Sequence, residues 1–195
     1  MTDTITDVTT TVTSAEDMKA EARNDNRVHI GYLAGVHEDG SKCSACLQFD
    51  AANIPTMREH GEKSEIVRIE LQLSYDAFNA FAESMGGTLS SVTDENGNPK
   101  ILMNIGGKSF PASTPTLFAY TVDNAGQVRI TDVFTGQGSF GAWLTNVENM
   151  QPEARLSSAM ETARAQALAA LSDGKSTGST VPNYNSGPQV VAARG

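Results

Sequence analysis

The segment Arg27-Val-His-Ile-Gly-Tyr-Leu-Ala-Gly-Val-His-Glu-Asp-Gly-Ser-Lys-Cys-Ser-Ala-Cys-Leu-Gln-Phe49 decides the fold. Val28, Ile30 and Tyr32 alternate with His29, Gly31 and Leu33, the period of a strand whose side chains point to opposite faces in turn. After the turn-forming Glu38-Asp-Gly-Ser41, residues Cys43, Ala45, Leu47 and Phe49 alternate with Ser44, Cys46 and Gln48. Read by period alone, the two halves predict a β-hairpin.

Downstream, the period-two pattern of Glu65 to Leu73 predicts a half-buried strand, with Val67, Ile69, Leu71 and Leu73 inward and Arg68, Glu70 and Gln72 outward. Ser74 is placed to cap a helix over Tyr75–Met85, whose stripe of Phe78, Phe81, Ala82 and Met85 faces a core and which Gly86 can end. Asn96-Gly97, between Ser90–Thr93 and Lys100–Ile105, marks a hairpin. Asp123 to Gly126 marks a second, between Thr116–Val122 and Val128–Phe134. Gly136 to Gly141 leads to Ala142–Val147, where Trp143 is expected to anchor in the core. Pro152 suits the first position of a last helix running to about Ser172, with Leu156, Met160, Ala163, Ala167 and Leu171 on one face.

These elements predict an α+β fold, mainly antiparallel β, as a hairpin-rich sheet or partly closed barrel with one short packed helix and a longer C-terminal helix. The expected organisation is a flexible, acidic, Thr-rich arm at 1–25, a β-rich domain at 26–150 with its helix at 75–85, a helix at 151–173 and a flexible tail at 174–195. Within the arm, Ser14 to Asp17 resembles a capping box ahead of Met18–Arg23, but Asp17/Glu21 and Lys19/Arg23 are like-charge pairs that weaken so short a helix. Segments poor in large apolar groups become ordered only against a partner, so both arms point to docking or assembly.

The net charge of −9 is carried as −4 on residues 1–26, −6 on 27–150 and +1 on 151–195, which argues against a broad phosphate-binding surface. The start MTDTITDVTT has neither the basic nor the apolar region of a secretory signal, and no run of about 18 apolar residues is present. The expected location is therefore cytoplasmic, or the virion if the protein is viral, with no membrane partner. Two cysteines, Cys43 and Cys46, are too few for a disulfide scaffold and fit a reducing compartment.

Cys43-x-x-Cys46, with His29, His37 and His60 near it in the chain, is the first constellation able to hold zinc or act as a redox dithiol. On a strand, however, residues three apart face opposite ways, so the predicted hairpin makes both cysteines ordinary small hydrophobes. Gly136-Gln-Gly-Ser-Phe-Gly141 matches G-x-G-x-x-G but has too little chain after it for a dinucleotide fold and reads as a loop. Gly106-Gly-Lys-Ser109 imitates a phosphate loop, yet Leu102 stands where its first glycine belongs. Asp94-Glu-Asn-Gly-Asn98 opens like a calcium loop, but Pro99 and Ile105 occupy the glycine and glutamate positions. No catalytic residue, cofactor or metal ligand is assigned.

The resulting expectation is a non-enzymatic interaction or assembly protein of a phage or viral accessory kind, whose partners are copies of itself or other protein subunits. The alternative is a single-stranded nucleic-acid-binding protein with an OB-like β domain, using Tyr32, Arg68, Lys100, Lys108, Phe110, Tyr120 and Arg129 as a stacking and phosphate platform, with Phe118, Phe134 and Phe140 nearby in pattern. Against it stands the reading that alternating aromatics belong to the core. An enzyme whose site carries no motif is the second alternative.

Overall fold

The computed structural model describes residues 4–173, without the side chains at 151–159, 161, 162, 172 and 173. The chain divides into two compact units, Met1–Arg155 and Leu156–Gly195. The first unit is α+β and contains two sheets, one mixed and one antiparallel, neither closed into a barrel.

The five-stranded sheet has the order β1-β3-β2-β7-β8, with β1 at Thr10–Val12, β2 at Val28–Val36, β3 at Ser64–Gln72, β7 at Thr116–Val122 and β8 at Val128–Phe134. β1, β3 and β2 run parallel, whereas β7 is antiparallel to both β2 and β8. Parallel neighbours need a crossover, and α2 at Ser44–His60 supplies it between β2 and β3. This corrects the mainly antiparallel expectation and its cause, the reading of Cys43–Phe49 as a strand. The turn after β2 does form, closed by His37 N donating to Ser41 O at 2.8 Å, but pairing ends at a single bridge between Val36 and Lys42. The helix begins two residues later.

Three features hide that helix. Its N-cap is Cys43 rather than an oxygen-bearing side chain, its buried face is Cys46, Asp50 and Met57 with a charge at the centre, and Pro55 lies inside it. The apparent alternation is accidental, since Ala45 and Leu47 are exposed.

The other helices follow their signals more closely. α3 at Tyr75–Ser84 is capped by Ser74, whose Oγ accepts from Ala77 N at 3.2 Å, and buries Phe78, Phe81 and Ala82 as expected. The second sheet, β4-β5-β6, comprises Thr88–Thr93, Pro99–Ile105 and Lys108–Pro111. The Asn96-Gly97 turn forms where predicted and a tight turn at Gly106-Gly107 joins the last two strands, with Gly97, Gly106 and Gly107 in the left-handed region.

The N-terminal segment is not an appendage. β1 adds an edge to the sheet beside β3, and α1 at Ala15–Glu21, capped by Ser14, buries Ala15 and Met18. Tyr120 Oη donates to Met18 O at 2.6 Å, pinning α1 to β7 across the core. Tyr120→Phe is expected to lower stability by about 1–3 kcal/mol, because a buried carbonyl loses its donor; a denaturant midpoint with unchanged slope measures this.

The main sheet is buried on both faces. One face packs Leu33, Val67, Phe118 and Tyr120 against Met18, Phe78, Phe81 and the smaller sheet's Met103 and Phe110. The other packs Ile30, Tyr32, Ile66 and Ala119 against Cys46 and Met57 of α2 and Phe140, Leu144 and Val147 of the last helix. α4 starts at Phe140 and extends to Asp173, so Pro152 does not open it and Trp143 is helical, its Nε1 donating to Asp132 Oδ2 at 3.0 Å. In the second unit, Met160, Ala163, Ala167 and Leu171 of that helix are exposed. The tail predicted at 174–195 lies outside the described residues, as do residues 1–3. No helix among the described residues is long and apolar enough to cross a membrane.

Candidate functional site

Helix α2 places Cys43 and Cys46 together at its first turn instead of on opposite faces of a strand. Cys43 occupies the N-cap, and its Sγ accepts a hydrogen bond from the Cys46 amide at 3.4 Å. Two other strand ends complete the enclosure. Gly35, near the end of β2, donates its amide to Cys46 Sγ at 3.3 Å and accepts from the Cys43 amide at 2.9 Å. Thr114, joined to Pro115 by a cis peptide just before β7, brings its Oγ1 to 3.6 Å and its carbonyl oxygen to 3.9 Å from Cys43 Sγ.

Gly35 is required by space rather than by dihedral angle. A Cβ there would lie 2.4 Å from Thr114 Oγ1 and 3.1 Å from Cys43 Cβ. Gly35→Ala is therefore expected to push Thr114 and Cys43 apart and to slow alkylation of Cys43 relative to the parent, measured by mass spectrometry.

The two sulfurs differ electrostatically. Burial raises the Cys43 thiol, but hydrogen bonds from Cys46, Thr114 and the amides of the helix's first turn outweigh it and hold the group below its ordinary value. Burial pushes Cys46 up, and its position next to Cys43 adds to that. A helix N-terminus favours the anion at Cys43 on the same grounds. Both sulfur-bearing residues are buried, Cys43 at 8% exposure and Cys46 at 0%, so Cys43 is the more accessible of the two.

Beneath the pair lies a buried polar cluster. Asp50, one helical turn beyond Cys46, accepts from Tyr32 Oη at 2.5 Å and from Arg68 Nη1 at 3.2 and 3.1 Å. The Arg68 guanidinium lies 4.7 Å from the Tyr32 ring centroid and reaches Glu70 Oε1 at 3.5 Å, with Lys42 Nζ 3.1 Å from the same oxygen. Burial and the bond to Asp50 push the Tyr32 hydroxyl up, so it remains a donor. Arg68, predicted to face outward, is 2% exposed.

A groove of about 410 Å³ starts at Pro115, beside Thr114, and is lined by Phe49, Phe110, Pro111, Leu117 and Phe134 among others. Of the proposed nucleic-acid residues, Tyr32, Arg68, Phe110 and Tyr120 are buried, and Lys100, Lys108 and Arg129 are exposed. The four buried side chains are core components and offer no face to a base without opening the fold. His37 is exposed, and His60 Nδ1 lies 2.8 Å from Glu148 Oε1 of α4, so neither histidine joins the cysteines. His29 lies on the first residues of β2, six residues before Gly35.

The sequence signal for this site was the Cys-x-x-Cys spacing itself; Gly35 and Thr114 carried none. Compared with protein-family models, curated proteins and solved structures, the chain shows no match.

Proposed function

We propose that Cys43 and Cys46 form a redox-active dithiol that exchanges with disulfides in protein or peptide substrates. The observation that carries this reading is the capping geometry: Cys43 Sγ accepts the Cys46 amide at the start of the helix that crosses from β2 to β3. A Cys-x-x-Cys pair opening the helix of a βαβ unit is a thioredoxin-like arrangement, and its helix terminus stabilises the attacking thiolate.

In the reducing direction, the Cys43 thiolate attacks a substrate disulfide, forming a mixed disulfide and releasing a substrate thiolate that takes up a proton. Cys46 then loses its proton and attacks Cys43 Sγ, closing the Cys43–Cys46 disulfide and releasing the second substrate thiol. Two electrons and two protons pass to the substrate. The apolar groove next to Thr114 suits an extended segment flanking the reacting sulfur, with Phe110 and Pro115 on its walls.

Equilibration in glutathione buffers of graded potential, followed by alkylation and mass spectrometry, tests the pair. The expected result is one two-electron transition in which both cysteines become unreactive together. Two thiols that stay independently alkylable across the range, or that acquire separate glutathione adducts, overturn the assignment.

A second reading rests on the second unit. Met160, Ala163, Ala167 and Leu171 recur at helix-seam spacing and are exposed, Met160 at 71% and Leu171 at 72%. A self-complementary seam of this kind favours association with a second copy, consistent with an assembly role. In the full chain, Met160→Glu/Leu171→Glu should convert an oligomer to a monomer by light scattering; a monomeric parent protein removes this reading.

A further inference from the structure

At the opposite end of β2 from the dithiol, His29 and Glu65 are partners in register on the parallel strands β2 and β3. Six residues of strand, roughly 20 Å, separate this place from Gly35. His29 Nε2 lies 3.1 Å from Glu65 Oε2 and 3.3 Å from Asp25 Oδ1, and the three donor atoms all fall within 4.8 Å of one another. His29 and Glu65 are 4% and 7% exposed. Although each lies at ion-pair distance from a charged neighbour, His29 Nε2 and Glu65 Oε2 are buried and neither makes a hydrogen bond of good geometry. Buried polar atoms without a well-aligned hydrogen bond are uncommon, and two facing each other mark a place where a further ligand would be stabilising.

We infer that Asp25, His29 and Glu65 form a binding site for a first-row divalent transition metal of the zinc class. Zinc holds imidazole nitrogen and carboxylate oxygen at about 2.0–2.2 Å, which sets neighbouring donor atoms roughly 3.0–3.5 Å apart around the ion. Two of the three separations, 3.1 and 3.3 Å, fall on that edge length, and the third lies within 4.8 Å. An imidazole with two carboxylates selects zinc, manganese or ferrous iron over calcium or magnesium, which take all-oxygen shells. The first coordination shell is also braced from outside: Thr10 Oγ1 donates to Glu65 Oε1 at 2.7 Å, and the Arg27 amide donates to Asp25 Oδ1 at 2.9 Å. A cleft of about 280 Å³ lined by Thr10, Arg27, Ser64 and Glu65 adjoins the Glu65 side of the cluster.

Arg27 is the competing cation. Its Nη2 lies 2.7 Å from Asp25 Oδ2 and 3.3 Å from Glu65 Oε2, and its Nη1 donates to Gly61 O at 3.2 Å. The side chain is 37% exposed, so the guanidinium can swing toward solvent when a dication enters. Metal and Arg27 therefore exclude each other from Glu65, and removal of the guanidinium tightens metal binding.

Because Cys43 and Cys46 would themselves bind zinc, the test uses the full-length Cys43→Ser/Cys46→Ser protein. Calorimetry with Zn²⁺ is expected to give one ion per chain, with a rise in thermal midpoint. Glu65→Gln and Asp25→Asn, each checked for native circular dichroism, should weaken binding by about tenfold or more, and Arg27→Gln should strengthen it. No saturable one-to-one binding below about 1 mM overturns the inference, as does zinc affinity that Glu65→Gln and Asp25→Asn leave unchanged. In either case Arg27 is the permanent counter-ion of the two carboxylates. His37→Ala/His60→Ala in the same background should retain the zinc; loss of binding there would equally overturn the site.

Discussion

Arg68→Met is expected to remove about 3–5 kcal/mol of stability, much of what a domain of this size possesses. Arg68 is the largest fully buried side chain among the described residues, and its guanidinium is the cationic partner of Asp50 at 3.1 Å. Methionine fills much of its volume but leaves a carboxylate in the layer between α2 and the sheet with only Tyr32 Oη to satisfy it. Arg68→Met/Asp50→Leu should recover most of the loss, since a buried pair replaced by apolar groups is close to neutral whereas half of one is not. Chemical denaturation of the two single variants and the double variant measures the coupling. Additive losses would show that Asp50 and Arg68 are not energetically paired.

Cys43→Ser should abolish reduction of a model disulfide, leaving the rate at the uncatalysed background. Serine preserves the cap but cannot form the mixed disulfide. Cys46→Ser should behave differently: attack by Cys43 still occurs, but resolution does not, so a covalent adduct at Cys43 accumulates and is seen by mass spectrometry. If Cys46→Ser turned over at the parent rate, the resolving role would be lost. An adduct found on Cys46 in the parent chain would reverse the order of attack derived from the burial of the two sulfurs.

The elements that were legible are those whose local and tertiary signals agree. α3 has a serine cap that bonds Ala77 N, an apolar stripe that is buried and Gly86 at positive φ just beyond its end. The hairpins at Asn96-Gly97 and Asp123–Gly126 are set by turn chemistry alone, which needs no knowledge of the rest of the chain. α2 was misread because its buried face carries Asp50 and its cap is a thiol, so the hydrophobic period reported an exposed face instead. That one error removed the crossover, and with it the parallel pairing of β2 and β3.

The candidate sites were lost through the same step. Cys43 and Cys46 meet only if the segment is helical, and His29 meets Glu65 only through parallel register. β1 and α1 were taken for an arm because a Thr-rich segment with few large apolar groups looks unable to order itself; Val12, Ala15 and Met18 are nevertheless sufficient when β3 offers an open edge. Arg68 shows the limit of alternation as a rule: where the strand is covered on both faces it is buried, while Glu70 and Gln72 at the strand's end are exposed as expected.

The most direct test of the dithiol account is the pH dependence of Cys43 alkylation in the reduced parent protein, followed site by site by mass spectrometry. Cys43 should react with a midpoint below the free-thiol value of about 8.5, and Cys46 should remain protected well above it. A Cys43 midpoint at or above that of a free thiol, or faster modification of Cys46, would contradict the account.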